Sequence, residues 1–269
     1  MSSPATSAVA SGLPRLAISR STLAVLACQV AIVVLVLGTW QLASGTLIKP
    51  LWISSPTEIF ALLVEWIADG SLWPHVLVTL SEIVIGFLIG AACGIAVGIV
   101  LGSLPTVEHI LSPLIVGLYA MPKVALAPLF ILLFGIDLES KIALVVVTVF
   151  FLVLLNTISG MRSVDADLVN SLLVMGASRF DVFLKVTAPS ALIWVFNGLR
   201  ISVRYALTSA VYGEIIASNQ GLGFLINRSK SMLDAAGTFA ALGVLMLIGL
   251  TFTLLVARLG NVAMKWKEE

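Results

Sequence analysis

Four charged residues fall inside or at the edge of long apolar runs: Lys123, Arg200, Arg204 and Glu214. A charge at the centre of a membrane span costs about 2.5–3.5 kcal/mol on insertion scales, so it faces a cavity, pairs, or reaches the interface. The chemistry open to these residues is therefore electrostatic, either holding a solute or holding another helix. Glu214 is expected to pair or to line a vestibule. Arg200 and Arg204 share a helix face, and long side chains of this kind can extend to the membrane surface. Tyr119, Met121 and Asn156 are further candidates for a polar route. Nothing beside them suits covalent chemistry. There is no nucleophile–base or acid–base constellation and no G-x-x-x-x-G-K-[ST] phosphate loop. His75 and His109 stand alone and read as interfacial residues. Cys28 and Cys93 lie in apolar runs and suggest neither a metal site nor a disulfide framework.

The elements that must position these residues are membrane spans. The 269-residue chain is 59% hydrophobic and 11% charged, against about 25% charged in soluble domains. Its mean hydropathy is +1.12. A net charge of +1 points to no nucleic-acid partner. Runs of about 20 apolar residues can span, and six occur: 22–43, 76–101, 114–134, 142–161, 192–217 and 237–259. The expected fold is an all-α membrane protein with six transmembrane helices. The third run contains Pro122 and Pro128 and is expected to kink or break. Residues 1–20 read as a mobile tail, 21–260 as the membrane domain and 261–269 as a second tail.

Orientation follows from Lys and Arg in the short loops. With the N-terminus in the cytoplasm, that side holds Arg15, Arg20, Arg162, Arg179, Lys185, Arg258, Lys265 and Lys267. The other side holds Lys49, Lys141, Arg228 and Lys230. Both termini are thus expected inside. Between the first two spans, Ile59, Leu62, Leu63 and Trp66 form one helical face, with Glu58, Glu65 and Asp69 off it. This predicts an amphipathic helix on the outer membrane surface.

Two local patterns stand out. Gly86, Gly90, Gly94, Gly98 and Gly102 recur at every fourth position, a smooth stripe that lets a neighbouring helix approach. The polar segment 162–191 reads as helix, glycine turn, helix. Val164, Leu168, Leu172 and Met175 make one face, Asp165 or Asp167 caps the start and Gly176 the end. Ser178 and Asp181 form a capping box, and Phe180, Phe183 and Leu184 make the face of a second short helix ending near Lys185. Pro189 stops that helix or opens the next. Capping at both turns predicts a rigid body suited to docking. A DNA-binding helix-turn-helix would need clustered basic residues that are absent.

Several motifs in order carry a family resemblance. Gly176, Pro189, Gly198-Leu199-Arg200 and Gly221-Leu222-Gly223, with the upstream stretches MPKVALAPLFILLFGIDLESK and NTISGMRSVDADL, resemble the EAA loop and its surroundings in permease subunits of binding-protein-dependent ABC importers. The resemblance covers roughly residues 53–257 and is closest to nitrate, sulfonate, taurine, bicarbonate and thiamine- or riboflavin-precursor permeases. It implies a type I importer fold in the bacterial inner membrane, a second permease chain, two ATP-binding subunits that carry ATP and Mg, and an external substrate-binding protein. It further implies an ATPase-coupling role for Asn170, Ser171, Leu172, Gly176, Ala177, Ser178, Asp181, Phe183, Lys185 and Pro189, with no catalytic residue, metal or cofactor in this chain. The implied cargo is a small polar or anionic solute. A stand-alone secondary transporter or channel is the alternative. The sequence departs from the family in two places: Asn170-Ser171-Leu172 replaces Glu-Ala-Ala, and Glu82 stands where relatives often carry arginine.

Overall fold

The computed structural model describes residues 20–263, so Arg15, Lys265 and Lys267 and most of both expected tails lie outside the described residues. Arg20 already begins the first helix and 261–263 complete the last one. The chain is built from α1 (Arg20–Ala43), α2 (Pro50–Ile53), α3 (Pro56–Ala68), α4 (Leu72–Ser103), α5 (Pro105–Ala120), a 3-10 turn (Lys123–Leu126) and α6 (Ala127–Phe134). There follow α7 (Leu138–Arg162), α8 (Ala166–Val174), α9 (Arg179–Val182), a π turn (Phe183–Thr187), α10 (Ala188–Ile216), α11 (Leu222–Ser231) and α12 (Ala235–Ala263). Among the described residues, five helical stretches are long and apolar enough to cross a membrane, and α5 with Lys123–Phe134 makes a sixth if the bent pair counts as one span.

That pair is bent by 81°. The break falls at Met121–Pro122, and the first arm starts at Pro105 rather than at Leu114. Pro128 breaks nothing. It occupies the first turn of α6, where its missing N–H has no partner to lose.

The protomer is organised by α7, which packs along α4 on one side and α10 on another. Lipid offers no hydrophobic drive for helix pairing, so close van der Waals contact must supply it. The glycine stripe makes that contact possible. A Cβ at Gly86 would lie 2.6 Å from Val145 Cβ, at Gly90 2.7 Å from the Val146 carbonyl, and at Gly94 2.8 Å from the Phe150 carbonyl. At Gly98 and Gly102 it would come within 2.6 Å of Thr157 Cβ and Met161 Cβ. Gly198 repeats the device between α10 and Asn156 of α7, at 2.8 Å. Ile83, Phe87, Val145, Val149, Val153, Val203 and Ala206 fill the core between the three helices. Ser209 donates to Thr148 across α10 and α7 at 2.9 Å, satisfying both hydroxyls at depth.

The face Ile59, Leu62, Leu63 and Trp66 of α3 turns inward, with Ile59 buried, and the helix packs on α12 and α1. α1 itself stands at the periphery, with none of its apolar window buried inside the protomer.

Gly94→Leu is expected to destabilise the protein by about 1–3 kcal/mol or to prevent folding, through overpacking against α7. Gly243→Ala, where an added methyl meets nothing within 4 Å, should leave stability within error. Thermal midpoints of the two purified variants check this.

Candidate functional site

At the end of the protomer away from α8, three consecutive backbone N–H groups at the start of α11 are received by three side chains. Gly221 donates to His75 Nδ1 at 3.0 Å, Leu222 to Thr79 Oγ1 at 2.8 Å and Gly223 to Glu214 Oε2 at 2.5 Å. The Thr79 hydroxyl in turn donates to Glu214 Oε1 at 2.6 Å. These are donors that a helix leaves unpaired in its first turn, and a carboxylate there also meets the positive end of the helix dipole. Gly221 has φ +109°, and a side chain at that position would collide with the Glu214 carboxyl. The motif Gly221-Leu222-Gly223 is thus a backbone clamp on Glu214, His75 and Thr79. The His75 ring also stacks on Phe224 at 5.8 Å, so it is a positioning residue and not merely interfacial.

Glu214 is 1% exposed, as are Glu82 and Lys141. It pairs inside the protomer and opens on no vestibule there. Lys141, counted above with a loop, lies in the first turn of α7 and donates to the carbonyls of Ile136 and Asp137.

At the other end, α8 begins at Asp165, whose side chain accepts from Asp167 N–H at 2.8 Å. It ends in a complete Schellman turn. Gly176, at φ +90°, donates to the Leu173 carbonyl, and Ala177 donates to that of Leu172, each at 3.0 Å. Ser178 then caps α9, with Asp181 N–H donating to its Oγ at 3.1 Å and Asp181 accepting in return. Lys185 Nζ lies 3.1 Å from Asp181 Oδ1. Ser171 donates back to Asp167 and is exposed with Asn170.

The sequence pattern leaves open which faces turn inward, and the expected end of the second helix near Lys185 needs correction. The inward faces are Val169 and Leu172 on α8 and Val182 on α9. Val174 and Met175 are 89% and 83% exposed, and Leu168, Phe180 and Leu184 also point outward. The second short helix does not end before the span. Helix Arg179–Ile216 runs unbroken for 38 residues. Pro189 lies in the first turn of α10, and the π turn just before it bonds Ala188 N–H to the Phe183 carbonyl and widens the helix where the proline ring would otherwise clash.

The remaining pathway candidates are not gathered in one place. Lys123 sits at the α5 break, its Nζ 4.5 Å from the Tyr119 ring centre and 5.5 Å from that of Phe151, beside exposed Met121. Asn156 donates to Leu152 and packs on Gly198. Arg200 ties α10 to α12, donating to Asn261 Oδ1 at 2.7 Å. Of the four charged candidates, Arg204 is the exposed one. It lines a groove of about 710 Å³ between α10 and α12, with Thr208 and Tyr212 on the same face. The four-residue spacing of Arg204, Thr208 and Tyr212 was a visible signal of this stripe. The His75–Thr79–Glu214 anchor had none, since its partners lie up to 146 residues apart.

The comparisons with known proteins agree with this architecture. Residues 93–264 match the family described as binding-protein-dependent transport system inner membrane component. The chain is similar to the formylaminopyrimidine transport permease ThiX of Halalkalibacterium halodurans, 30% identical over 86% of this chain and 92% of that one. It is 34% identical to the riboflavin transport system permease RibX of Chloroflexus aurantiacus over 79% and 80% of the two chains. To the taurine transport system permease TauC of Escherichia coli it is 31% identical over 86% of each. Among solved structures, an inward-facing MetNI methionine ABC transporter shares its fold, with TM-score 0.63 and 18% identity over 71% of this chain and 95% of that one. The chain belongs to this family of inner membrane permease components of ABC importers. It is a transport component.

Thr79→Val removes two bonds of the α11 anchor, to Leu222 N–H and to Glu214, and Glu214→Gln inverts one, each a loss of about 1–3 kcal/mol for a buried group. Faster protease cleavage at 217–222 and a lower thermal midpoint are expected, with variant and wild type compared in the same detergent.

Proposed function

We propose that this chain is the solute-conducting half of an importer in which a second permease copy completes the route, two ATP-binding subunits dock on α8 and α9, and an external binding protein delivers the solute at the opposite end. Both termini and the α8–α9 segment face the cytoplasm in this reading, as the Lys/Arg distribution favours. The observation that carries it is the shape of residues 165–216. A doubly capped helical knob presents Val174, Met175, Phe180 and Leu184 to its surroundings and continues without interruption into α10. An apolar face on a polar segment outside the spans suits burial in a partner. Rigid continuity suits transmission of a push to the span that carries the conducting surface.

Gly176 matters here through geometry. Any side chain at φ +90° strains the turn that sets the angle between α8 and α9. Asn170 and Ser171, in place of the Glu-Ala-Ala carboxylate, offer the partner no charge from that position, so contact is apolar and by shape. ATP and Mg belong to the docked subunits.

The route runs along the α10 stripe. Arg204 lies at mid-helix with Thr208 and Tyr212 beside it, and among the described residues it has no carboxylate partner. A cation at that depth suits a small anionic or polar solute, consistent with relatives named for taurine and aliphatic sulfonates.

Gly176→Glu is expected to abolish ATPase activity stimulated by the binding protein, while membrane insertion is retained. Unchanged stimulation would remove α8–α9 from the docking surface. Arg204→Gln should lower uptake about tenfold with assembly intact, and Arg204→Lys should recover part of it. Equal uptake by all three proteins would take the route away from this face.

A further inference from the structure

Lys123 is a second cation at membrane depth. Its Nζ lies 5.5 Å from the ring centre of Phe151, which sits at the middle of α7. The ammonium itself therefore stands inside the bilayer and has not reached an interface. Arg204 lies at the same level. Thr148 of α7 bonds Ser209 of α10, and Asn156 packs on Gly198. Phe151 falls between Thr148 and Asn156, so its level on α10 falls between Gly198 and Ser209, the stretch that carries exposed Arg204 and Tyr205. The Lys123–Leu126 turn packs on α10 as well as on α7, so both cations border α10 at one depth.

An ammonium at this depth must pair or face water. Its partners are the Tyr119 carbonyl and the ring faces of Tyr119 and Phe151. Among the described residues it has no carboxylate partner. A second copy of this chain would bring none to this level. Of the carboxylates within or at the ends of the spans, Glu108 pairs with Arg162, and Glu82 and Glu214 are buried in their own protomer. Asp137 and Glu139 stand at the start of α7, about three turns or more from Phe151. The backbone points the same way. Met121 and Pro122 interrupt the helix in extended conformations and are exposed. Non-helical backbone within a bilayer is tolerated where protein buries it or where it lines a water-filled cavity. Burial against a second copy would cover the backbone and strand the charge. Water and a mobile anion satisfy both.

We propose that Lys123 binds the anionic group of the solute, a small oxyanion such as a sulfonate, at the break in the third span. The proposal rests on the route running along α10. The Tyr119 and Phe151 rings hold the ammonium between solutes, and an arriving oxyanion draws it off them. With Arg204 at the same level, two cations of each protomer meet the solute at one depth.

The test uses the complete transporter in nanodiscs. Cys28→Ala and Cys93→Ala remove the two native thiols, and Met121→Cys, at an exposed position beside the break, serves as reporter. Two membrane-impermeant thiosulfonate reagents of similar size are compared, one ending in a sulfonate and one in a trimethylammonium. The sulfonate reagent is expected to react about tenfold faster, because a cleft lined by one sign of charge concentrates counter-ions. Lys123→Gln should lower that ratio about threefold, since Arg204 remains, and Lys123→Arg should keep it. Millimolar methanesulfonate should slow the reaction where the cation is present and not in Lys123→Gln. A ratio unchanged by Lys123→Gln, no slowing by methanesulfonate, or a Met121→Cys thiol that neither reagent reaches while Arg204→Cys reacts, would overturn the proposal and leave the α10 route standing. Failure of both thiols to react would remove the route as well.

Discussion

Five side chains are missing from one face of α4, and the backbone and Cβ atoms of α7 occupy the space they leave. The contact from Gly86 to Gly102 brings main chain against main chain over about four turns of helix. In lipid, this close approach is the main source of attraction between two apolar helices. Everything else is hung on the pair. α10 packs on the other side of α7 through Gly198 and the Thr148–Ser209 bond. α11 is clamped to α4 by His75 and Thr79. Without the glycine contact, the carboxylate of Glu214 would have no Thr79 to meet.

The polar groups divide by depth and by partner. Near the end remote from α8, charges are consumed internally: Glu214 by two donors, Lys141 by two carbonyls. Near the other end, the capping residues are consumed locally and the apolar side chains point away from the protomer. A soluble protein would hide Val174, Met175 and Phe180. Here they are held outward by a Schellman turn and a capping box, which fix the knob whether or not a partner is present. The π turn at Phe183–Thr187 lets Pro189 sit inside a continuous helix, so the knob and α10 form one piece.

What was legible in the sequence was what is local. Span positions, the glycine stripe, the Gly176 turn and the Ser178–Asp181 box each depend on residues within one or two turns. Which residues of α8 turn inward was not legible, because the 3.6-residue period fits both Leu168–Met175 and Val169–Leu172, and only tertiary contact chooses. The π turn was hidden because one extra residue per turn leaves no compositional mark. The α11 anchor was illegible for a different reason. Its members come from three helices, and a lone histidine, threonine or glutamate in an apolar run carries no sign of its partner. Arg204 was visible as a charge, and its Thr208 and Tyr212 neighbours were visible by spacing. That the three face a groove required the packing of α12.

The central claim is that the α8–α9 knob moves with α10 as a rigid unit. The most direct measurement is the distance between spin labels at Val174 and Ile216 in one protomer of the assembled transporter, with and without ATP. The account predicts one narrow distance, unchanged within about 2 Å between nucleotide states, while the distance between the two Val174 positions of a dimer shifts. A change within the protomer of about 5 Å or more, or a broad distribution, would show a hinge between knob and span and contradict it.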